Sequence, residues 1–182
     1  MRRVLVVGAS GSGKSTAARR IAGRMGVPHV ELDALQHGPG WTQRATFVAD
    51  VEAATGGPAW VVDGNYSAVR ILLWSRADTV VWLDLPRWLV ESRVVRRTLV
   101  RLVLRTPLWN GNRERWRTVL HASHPIRWSW GKHPEYRRRY GALFDDPAFA
   151  HVNRVRLRSR ADVRRFLADL PASPGGAGAT VP

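Results

Sequence analysis

A glycine-rich stretch near the start of the chain has the residue types and the spacing that hold phosphate groups. Residues 8–15, GASGSGKS, fit the pattern G-x-x-x-x-G-K-[ST] in full and follow the apolar run VLVV. In such a turn the backbone N–H groups face phosphate oxygens, and the positive end of the following helix points at the same anion. The sequence therefore predicts a nucleotide phosphate site, formed by residues Gly8, Ala9, Ser10, Gly11, Ser12, Gly13, Lys14, Ser15 and Thr16.

Two side chains of this stretch are suited to separate tasks. The ammonium group of Lys14 is expected to reach the outer phosphates, whereas the hydroxyl of Ser15 is expected to bind Mg²⁺. The pattern therefore predicts that the protein binds ATP together with Mg²⁺.

Three aspartates follow short apolar segments that are typical of buried strands. They are Asp33, Asp63 and Asp84. Parallel strands present their carboxyl ends at one edge of a sheet, and ligands bind at that edge. We therefore expect these carboxylates to lie near the phosphate site. Asp84 is followed by Leu85 and Pro86 and is expected to cap or orient the helix that comes next.

Strand and helix patterns alternate along the chain. Strands are predicted over residues 3–7, 29–32, 60–62, 79–83 and 152–157, and helices over residues 14–25, 42–54, 86–105 and 159–170. The alternation predicts an α/β protein with a three-layer P-loop NTPase fold, in which helices flank a five-stranded parallel sheet. One domain would occupy residues 1–170, and the tail, residues 171–182, is expected to be disordered.

The composition is that of a globular protein with a strong positive charge. Of its 182 residues, 45% are hydrophobic, none is cysteine, and the formal net charge is +15 with only two lysines. No apolar run reaches the roughly 20 residues of a membrane span, so a cytoplasmic protein without a membrane partner is expected. Arginine fits phosphate oxygens well, which favours polyanionic partners. The alternative is that the arginines only solvate the surface.

The phosphate-binding pattern is shared by several classes of protein. GTPases carry an N-K-x-D motif that reads the base, and this sequence has none. Large motor-type ATPases carry an acidic pair after a strand and a second helical domain. Here Asp84 is followed by Leu85, and the chain is too short for a second domain of that kind. Small kinases of nucleotides and metabolites remain.

Two further stretches resemble adenylate-kinase-like enzymes. WVVDGNYSAVR, residues 60–70, resembles the strand of that family that ends in Asp-Gly and precedes an acceptor-binding arginine. VVWLDLPRWLVESRVVRR, residues 80–97, resembles the next strand, proline and helix of the family. The resemblance implies that Asp63 holds Mg²⁺ through water, that Arg70 binds the acceptor, and that Arg93 and Arg97 touch ATP.

A narrower resemblance spans about residues 1–170. LDALQHGPGW, DGNYS and RWSW resemble segments of small proteins described as adenylate-kinase-like or as DNA topology modulation (FlaR-like) proteins. Adenylate kinases carry Phe-Pro-Arg after Asp-Gly, whereas this chain has Asn65, Tyr66 and Ser67. This departure speaks against AMP as the acceptor. Asn65, Tyr66 and Arg70 are expected to face an acceptor of another kind.

Asp33 resembles an aspartate that shikimate- and gluconate-type kinases place after their second strand. That resemblance implies that Asp33 holds or activates a hydroxyl acceptor as a catalytic base. The alternative is a helix cap or a solvated loop carboxylate.

Residues 106–118 contain a glycine and several arginines, in the run WNGNRERWR. They are expected to form a lid whose Arg113 closes on the phosphates. The alternative is a solvated basic loop.

Together these features predict an ATP-dependent kinase. It would transfer the γ-phosphoryl group to a nucleotide, a nucleoside or a hydroxylated metabolite, and the residues expected at the reacting atoms are Lys14, Asp33, Asp63, Arg97 and Arg113. The alternative is a nucleotide-binding regulator whose basic surface binds nucleic acid without sequence preference, although no common nucleic-acid-binding signature is present in the sequence.

Overall fold

The five strands form one parallel sheet. The structure is a computed structural model that describes residues 1–64, 66–104 and 125–171. The strands are β1 (Arg3–Gly8), β2 (His29–Glu31), β3 (Trp60–Asp63), β4 (Thr79–Leu83) and β5 (Asn153–Leu157). Their order in the sheet is β2-β3-β1-β4-β5, and every pair is parallel. The predicted five-stranded parallel sheet is therefore confirmed.

Seven α-helices flank the sheet within the described ranges. They are α1 (Lys14–Met25), α2 (Leu32–Gln36), α3 (Phe47–Ala54), α4 (Arg70–Arg76), α5 (Arg87–Leu104), α6 (Pro125–Asp145) and α7 (Arg160–Ala168). Short 3₁₀ turns lie at Pro39–Trp41, Ser67–Val69 and Pro147–Phe149. Over these ranges, no helix is both long and apolar enough to cross a membrane.

The three central strands are covered on both faces. All residues of β3 and β4 are buried, and β1 is buried after its first residue. This explains why these strands are runs of Val, Leu and Trp rather than alternating apolar and polar residues. Trp60, Trp74 and Trp82 are among the largest fully buried side chains and fill the space between sheet and helices.

The helix predicted over residues 42–54 begins later, at Phe47. A tight turn occupies the preceding residues, in which Gly38 N–H donates to Thr42 O over 2.8 Å. Gly40 and Trp41 both have positive φ angles, 66° and 62°, which helices do not allow. The Gly-Pro-Gly sequence before Trp41 favours this turn over an earlier helix start.

The second strand is also shorter than predicted. β2 ends at Glu31, which pairs with Asp63 of β3, and the chain turns directly into α2. Asp33 therefore lies in the first turn of α2 and not at the end of the strand. Helices α2, α4 and α6 were not predicted. The last helix was predicted and begins with a capping box, in which Ser159 and Asp162 satisfy each other's backbone N–H groups.

Asp84 does not cap the following helix as the sequence suggested. Its carboxylate is 2% exposed and is held by Arg156 of β5, with Nη2–Oδ2 at 2.7 Å, and by Arg137 of α6, with Nε–Oδ1 at 3.0 Å. The Arg156 guanidinium also lies 4.2 Å from the ring centroid of Trp82. Asp84 therefore ties α6 and β5 to the end of β4, a role that depends on residues about 50 and 70 positions away.

Replacing Asp84 by asparagine should lower the stability of the protein more than it affects chemistry. The substitution keeps the volume but removes the charge that two arginines share. Hydrogen bonds to charged groups contribute about 1.5–3 kcal/mol, so a loss of this size in the free energy of unfolding is expected by urea titration. The exposed Asp145→Asn is the matched control and should change stability by less than about 0.5 kcal/mol. If Asp84→Asn and Asp145→Asn were equally stable, this would contradict the role of Asp84 in connecting α6 and β5 to β4.

Candidate functional site

The glycine-rich stretch forms a compact loop between β1 and α1. Gly11 has a φ of 82°, and a Cβ atom at this position would lie 2.5 Å from Cγ2 of Val94 and 2.8 Å from the carbonyl oxygen of Val90, both on α5. Gly13 has a φ of 95° and is the residue that precedes the first turn of α1. A side chain at either position is therefore strained. The loop has the close backbone approach and the helix N-terminus that a phosphate group requires.

Lys14 lies at the first position of α1, and its side chain folds back over the loop. Its Nζ donates to the carbonyl oxygen of Ala9 over 3.2 Å. Burial lowers the pKa of Lys14, and the negative charges of Asp33 and Asp63 partly offset that effect. Both carboxylates thus act on the same ammonium group, which places all three charges at one edge of the sheet.

Ser15 and Asp63 contact each other directly. The Ser15 hydroxyl donates to Oδ2 of Asp63 over 2.5 Å. This contact follows from the sheet, because Asp63 pairs with Val6 of the neighbouring strand β1 and so stands beside the loop. The hydroxyl and carboxylate oxygens are the hard ligands that Mg²⁺ prefers. The two residues expected to bind Mg²⁺ therefore carry suitable ligand atoms and are in contact with each other.

His29 is a site residue that sequence reasoning missed. Its Nε2 lies 3.0 Å from Oδ1 of Asp63, so the carboxylate is held from both sides, by Ser15 and by His29. Its Nδ1 lies 3.8 Å from Oε1 of Glu31, which in turn pairs with Arg19 at 2.8 Å. His29 and Glu31 are two residues apart on β2 and share a face of the strand. Their contact with Asp63 appears only once β2 is known to pair with β3.

A second group of hydrogen-bonded side chains surrounds Asp33. The Tyr66 hydroxyl donates to Oδ1 of Asp33 over 2.7 Å and lies 3.1 Å from Nε2 of His37. Burial, followed by the charge of Asp33, raises the pKa of Tyr66 well above its ordinary value. Tyr66 therefore stays neutral at any working pH and donates its hydroxyl proton. The Tyr66 oxygen can in turn accept a hydrogen bond from Nε2–H of His37. His37 was not predicted as a site residue.

Of the other residues expected to bind the acceptor, Arg70 is described and Asn65 is not. Arg70 begins α4 and lines a small cavity of about 10 Å³ together with Tyr66 and Tyr140. That volume is about one water molecule. Arg70 therefore lies near Tyr66, and Asn65 lies outside the described residues.

Arg93 and Arg97 of α5, which the resemblance expects to touch ATP, contact the glycine-rich loop. Nη1 of Arg93 donates to the carbonyl oxygen of Ser12 over 3.0 Å, and Nη2 of Arg97 donates to the hydroxyl of Ser10 over 3.4 Å. Both guanidinium groups are thus positioned at the place where phosphates would lie. Arg113 and the expected lid, residues 106–118, lie outside the described residues, as do residues 172–182 of the expected tail.

A cavity of about 400 Å³ opens from the other side of the loop. It begins at Ser12, Gly13 and Thr16, passes over the carboxyl end of β4 and continues between α1 and α7. Pockets for nucleosides and compounds of similar size start at about 300 Å³. The cavity therefore has room for the base and sugar of a nucleotide whose phosphates lie on the loop.

Comparisons with known proteins agree with this architecture. No known family and no curated protein sequence matches the chain. Several solved structures are similar to it, among them two kinases. A sugar kinase from Janibacter sp. HTCC2649, unliganded, has a TM-score of 0.51 and 21% identity, covering 98% of this chain and 99% of its own. A gluconokinase from Sinorhizobium meliloti 1021 has a TM-score of 0.49 and 18% identity, covering 92% and 94%. The chain has an α/β fold of the P-loop NTPase type.

Proposed function

We propose that the protein transfers the γ-phosphoryl group of ATP to a hydroxyl group of a small molecule. The observation that carries the proposal is that two carboxylates with different hydrogen-bond partners lie beside one lysine. Asp63 contacts the Ser15 hydroxyl, Asp33 contacts the Tyr66 hydroxyl, and both act on the charge of Lys14. One carboxylate is thus equipped for a metal and the other for a hydroxyl group. A protein that only binds a nucleotide needs no second carboxylate of this kind.

The phosphates of ATP would lie on the loop from Gly8 to Thr16. Lys14 would bind the outer phosphates, and Arg97 would stabilise the charge that spreads over the transferred group. Arg93 would hold the loop and the phosphates together through its contact with Ser12. The contacts of Lys14, Arg93 and Arg97 with atoms of the loop support this assignment.

Ser15 and Asp63 would hold Mg²⁺, Asp63 through water. When bound, the ion neutralises charge on the phosphate oxygens. His29 fixes one oxygen of Asp63, so the other oxygen keeps a defined direction. Outer hydrogen bonds of this type orient ligands in many metal sites.

Asp33 would bind and deprotonate the acceptor. Its Oδ1 accepts from Tyr66, which leaves Oδ2 for the acceptor hydroxyl. In the transfer the acceptor O–H proton passes to Asp33, the acceptor oxygen forms a bond to the γ-phosphorus, and the bond from phosphorus to the β,γ-bridging oxygen breaks. The electron pair of that bond leaves with ADP. Arg113 would close over the phosphates, and Asn65 and Arg70 would complete the acceptor site.

The expected acceptor is a hydroxylated metabolite, although nucleosides and nucleotides also belong to the proposal. The hydrogen-bonding set of Asp33, Tyr66 and His37 suits hydroxyl groups. The neighbour from Janibacter carries the description of a sugar kinase, which supports this direction. The resemblance to adenylate-kinase-like and FlaR-like proteins remains a prediction.

An acceptor screen tests the proposal. The purified chain with ATP and Mg²⁺ would be incubated with nucleosides, nucleoside monophosphates, sugars, sugar acids and polyols, and ADP release would be measured against a sample without acceptor. At least one acceptor should raise ADP release and yield a phosphorylated product by mass spectrometry. Lys14→Met, prepared in the same way, controls for contaminating kinases. If no compound raises ADP release above hydrolysis, the kinase proposal fails.

A further inference from the structure

The cavity between α1 and α7 has an unusual lining. One wall is α7, which contributes Arg160, Val163, Arg164 and Leu167 at the spacing of a single helix face. The cavity is therefore bounded on this side by two guanidinium groups and two branched apolar side chains.

The other walls continue the same pattern. Helix α1 contributes Thr16, Ala17 and Arg20, and the end of β4 and the residues after it contribute Leu83 and Leu85. Arg93 lies at the mouth of the cavity, beside the loop. Within the described residues, the lining contains no Asp, Glu, Asn or Gln side chain, and none of its four arginines forms an ion pair with a carboxylate.

The arginines also lie near one another. Burial, and then the positive charge of Arg160, lower the pKa of Arg93. Two cations thus approach each other at the mouth of the cavity without a described carboxylate between them. Such an arrangement favours a ligand with electron-rich faces or acceptor atoms over one that offers donors.

We propose that this cavity binds the base of the nucleoside triphosphate by its faces and does not select its identity. The inference rests on the proposed function in taking the glycine-rich loop as the phosphate site. Guanidinium groups and aliphatic side chains pack on the flat face of any base, because every base has a π-face. Guanidinium donors also find an acceptor atom on every base.

Selection among bases requires the opposite arrangement. A pocket rejects the wrong base strongly when fixed donors and acceptors match the edge of the right one, since the wrong base leaves buried groups unpaired. The side-chain acceptors of the described lining are the hydroxyls of Ser12 and Thr16 beside the loop; it has no amide or carboxylate side chain that could accept from the amino group of adenine or from N1–H and N2–H₂ of guanine. ATP is therefore one donor among several, and GTP, CTP and UTP are accepted at the same site.

Equilibrium binding of the full chain tests this inference without any acceptor. ATP, GTP, CTP, UTP and inorganic tripolyphosphate, each with Mg²⁺, would be titrated by calorimetry. The four dissociation constants should agree within about tenfold, and each nucleotide should bind more tightly than tripolyphosphate. A spread wider than tenfold overturns the inference, and so does tripolyphosphate that binds as tightly as the nucleotides.

Two variants of α7 sharpen the test. Arg164→Ala should weaken all four nucleotides by a similar factor, roughly threefold to thirtyfold for a lost cation–π contact, and should weaken tripolyphosphate less. Arg165→Ala is the matched control, because Arg165 is exposed on the same helix and does not line the cavity. Thermal unfolding confirms that both variants fold. A loss confined to one base, or an equal loss for tripolyphosphate, overturns the inference.

The outcomes separate this inference from the proposed function. If all nucleotides bind equally but no acceptor is found, the inference that the cavity does not select the base is supported and the kinase proposal is rejected. If one nucleotide binds far better and is used in transfer, the kinase proposal is supported and the inference that the cavity does not select the base is rejected. If no nucleotide binds, both fall.

Discussion

Replacing Lys14 by methionine is expected to reduce ATP turnover by at least roughly 10²–10³-fold while the protein stays folded. The ammonium group is a preorganised positive charge at the phosphates, and removal of one such group in other enzymes costs this much in kcat. Methionine keeps the length and the apolar stem of lysine. The Lys14 hydrogen bond to Ala9 is lost, but no buried carboxylate in the described structure depends on it for a direct contact.

The stability of this variant provides an independent check. Because burial lowers the pKa of Lys14, the folded protein releases this proton at a lower pH than the unfolded chain does. The unfolded state then binds more protons in that interval, so wild-type stability should rise as the pH increases from the lowered pKa towards 10.5. Lys14→Met should lack this rise and should be at least as stable as the wild type near neutral pH.

ATP turnover and urea unfolding over a pH series measure both effects. Arg24→Met is the matched control, because Arg24 is exposed on the last turn of the same helix and donates to the carbonyl oxygens of Ala168 and Leu170, away from the loop. The control should keep its turnover. Normal turnover in Lys14→Met would show that the loop is not the catalytic phosphate site.

The second large effect concerns the separate roles of Asp33, proposed to serve the acceptor, and Asp63, proposed to serve the metal. Asp33→Asn should reduce phosphoryl transfer by roughly 10²–10⁴-fold, the usual range for loss of a general base. It should leave ATP affinity and the slow hydrolysis without acceptor nearly unchanged, because Asp33 contacts Tyr66 and not the metal-binding pair. Asp63→Asn should impair both transfer and hydrolysis, because it weakens the group that would hold Mg²⁺.

Three measurements on each variant distinguish these roles: ATP affinity, hydrolysis without acceptor, and transfer to the best acceptor found. Added Mg²⁺ should partly rescue Asp63→Asn and should not rescue Asp33→Asn. Tyr66→Phe removes the donor to Asp33 and the contact with His37 but keeps the Asp33 carboxylate, so its transfer rate is expected to lie between those of the wild type and Asp33→Asn. Loss of background hydrolysis in Asp33→Asn to the same degree as in Asp63→Asn would refute the division.

The parts of the molecule that were predictable from the sequence are those that local patterns determine. The loop and α1 follow from a glycine pattern. The three central strands follow from continuous apolar runs, which are typical of strands that are buried on both faces. Ser15 and Asp63 were each expected to serve Mg²⁺, and the pairing of β1 with β3 brings the two residues into contact.

The parts that were missed depend on contacts between distant residues. His29 gains its role only through the register of β2 on β3, and Asp84 through arginines on α6 and β5. His37 is held near Tyr66 by a turn with two positive φ angles, one of them at Trp41, which no helix or strand pattern predicts. The cavity is formed by faces of two helices that are far apart in sequence, so its lining cannot be read from either helix alone.

The order of the strands also has a consequence for how the protein can change. β1 lies in the middle of the sheet, with the residues proposed to bind the acceptor beyond β3 on one side and the cavity proposed for the base beyond β4 on the other. The two half-sites share only the loop that joins β1 to α1. Free-energy effects of substitutions in distant groups without common partners are additive. For the proposed sites, acceptor choice and donor choice are therefore expected to be modular, so that either one could be engineered without rebuilding the other.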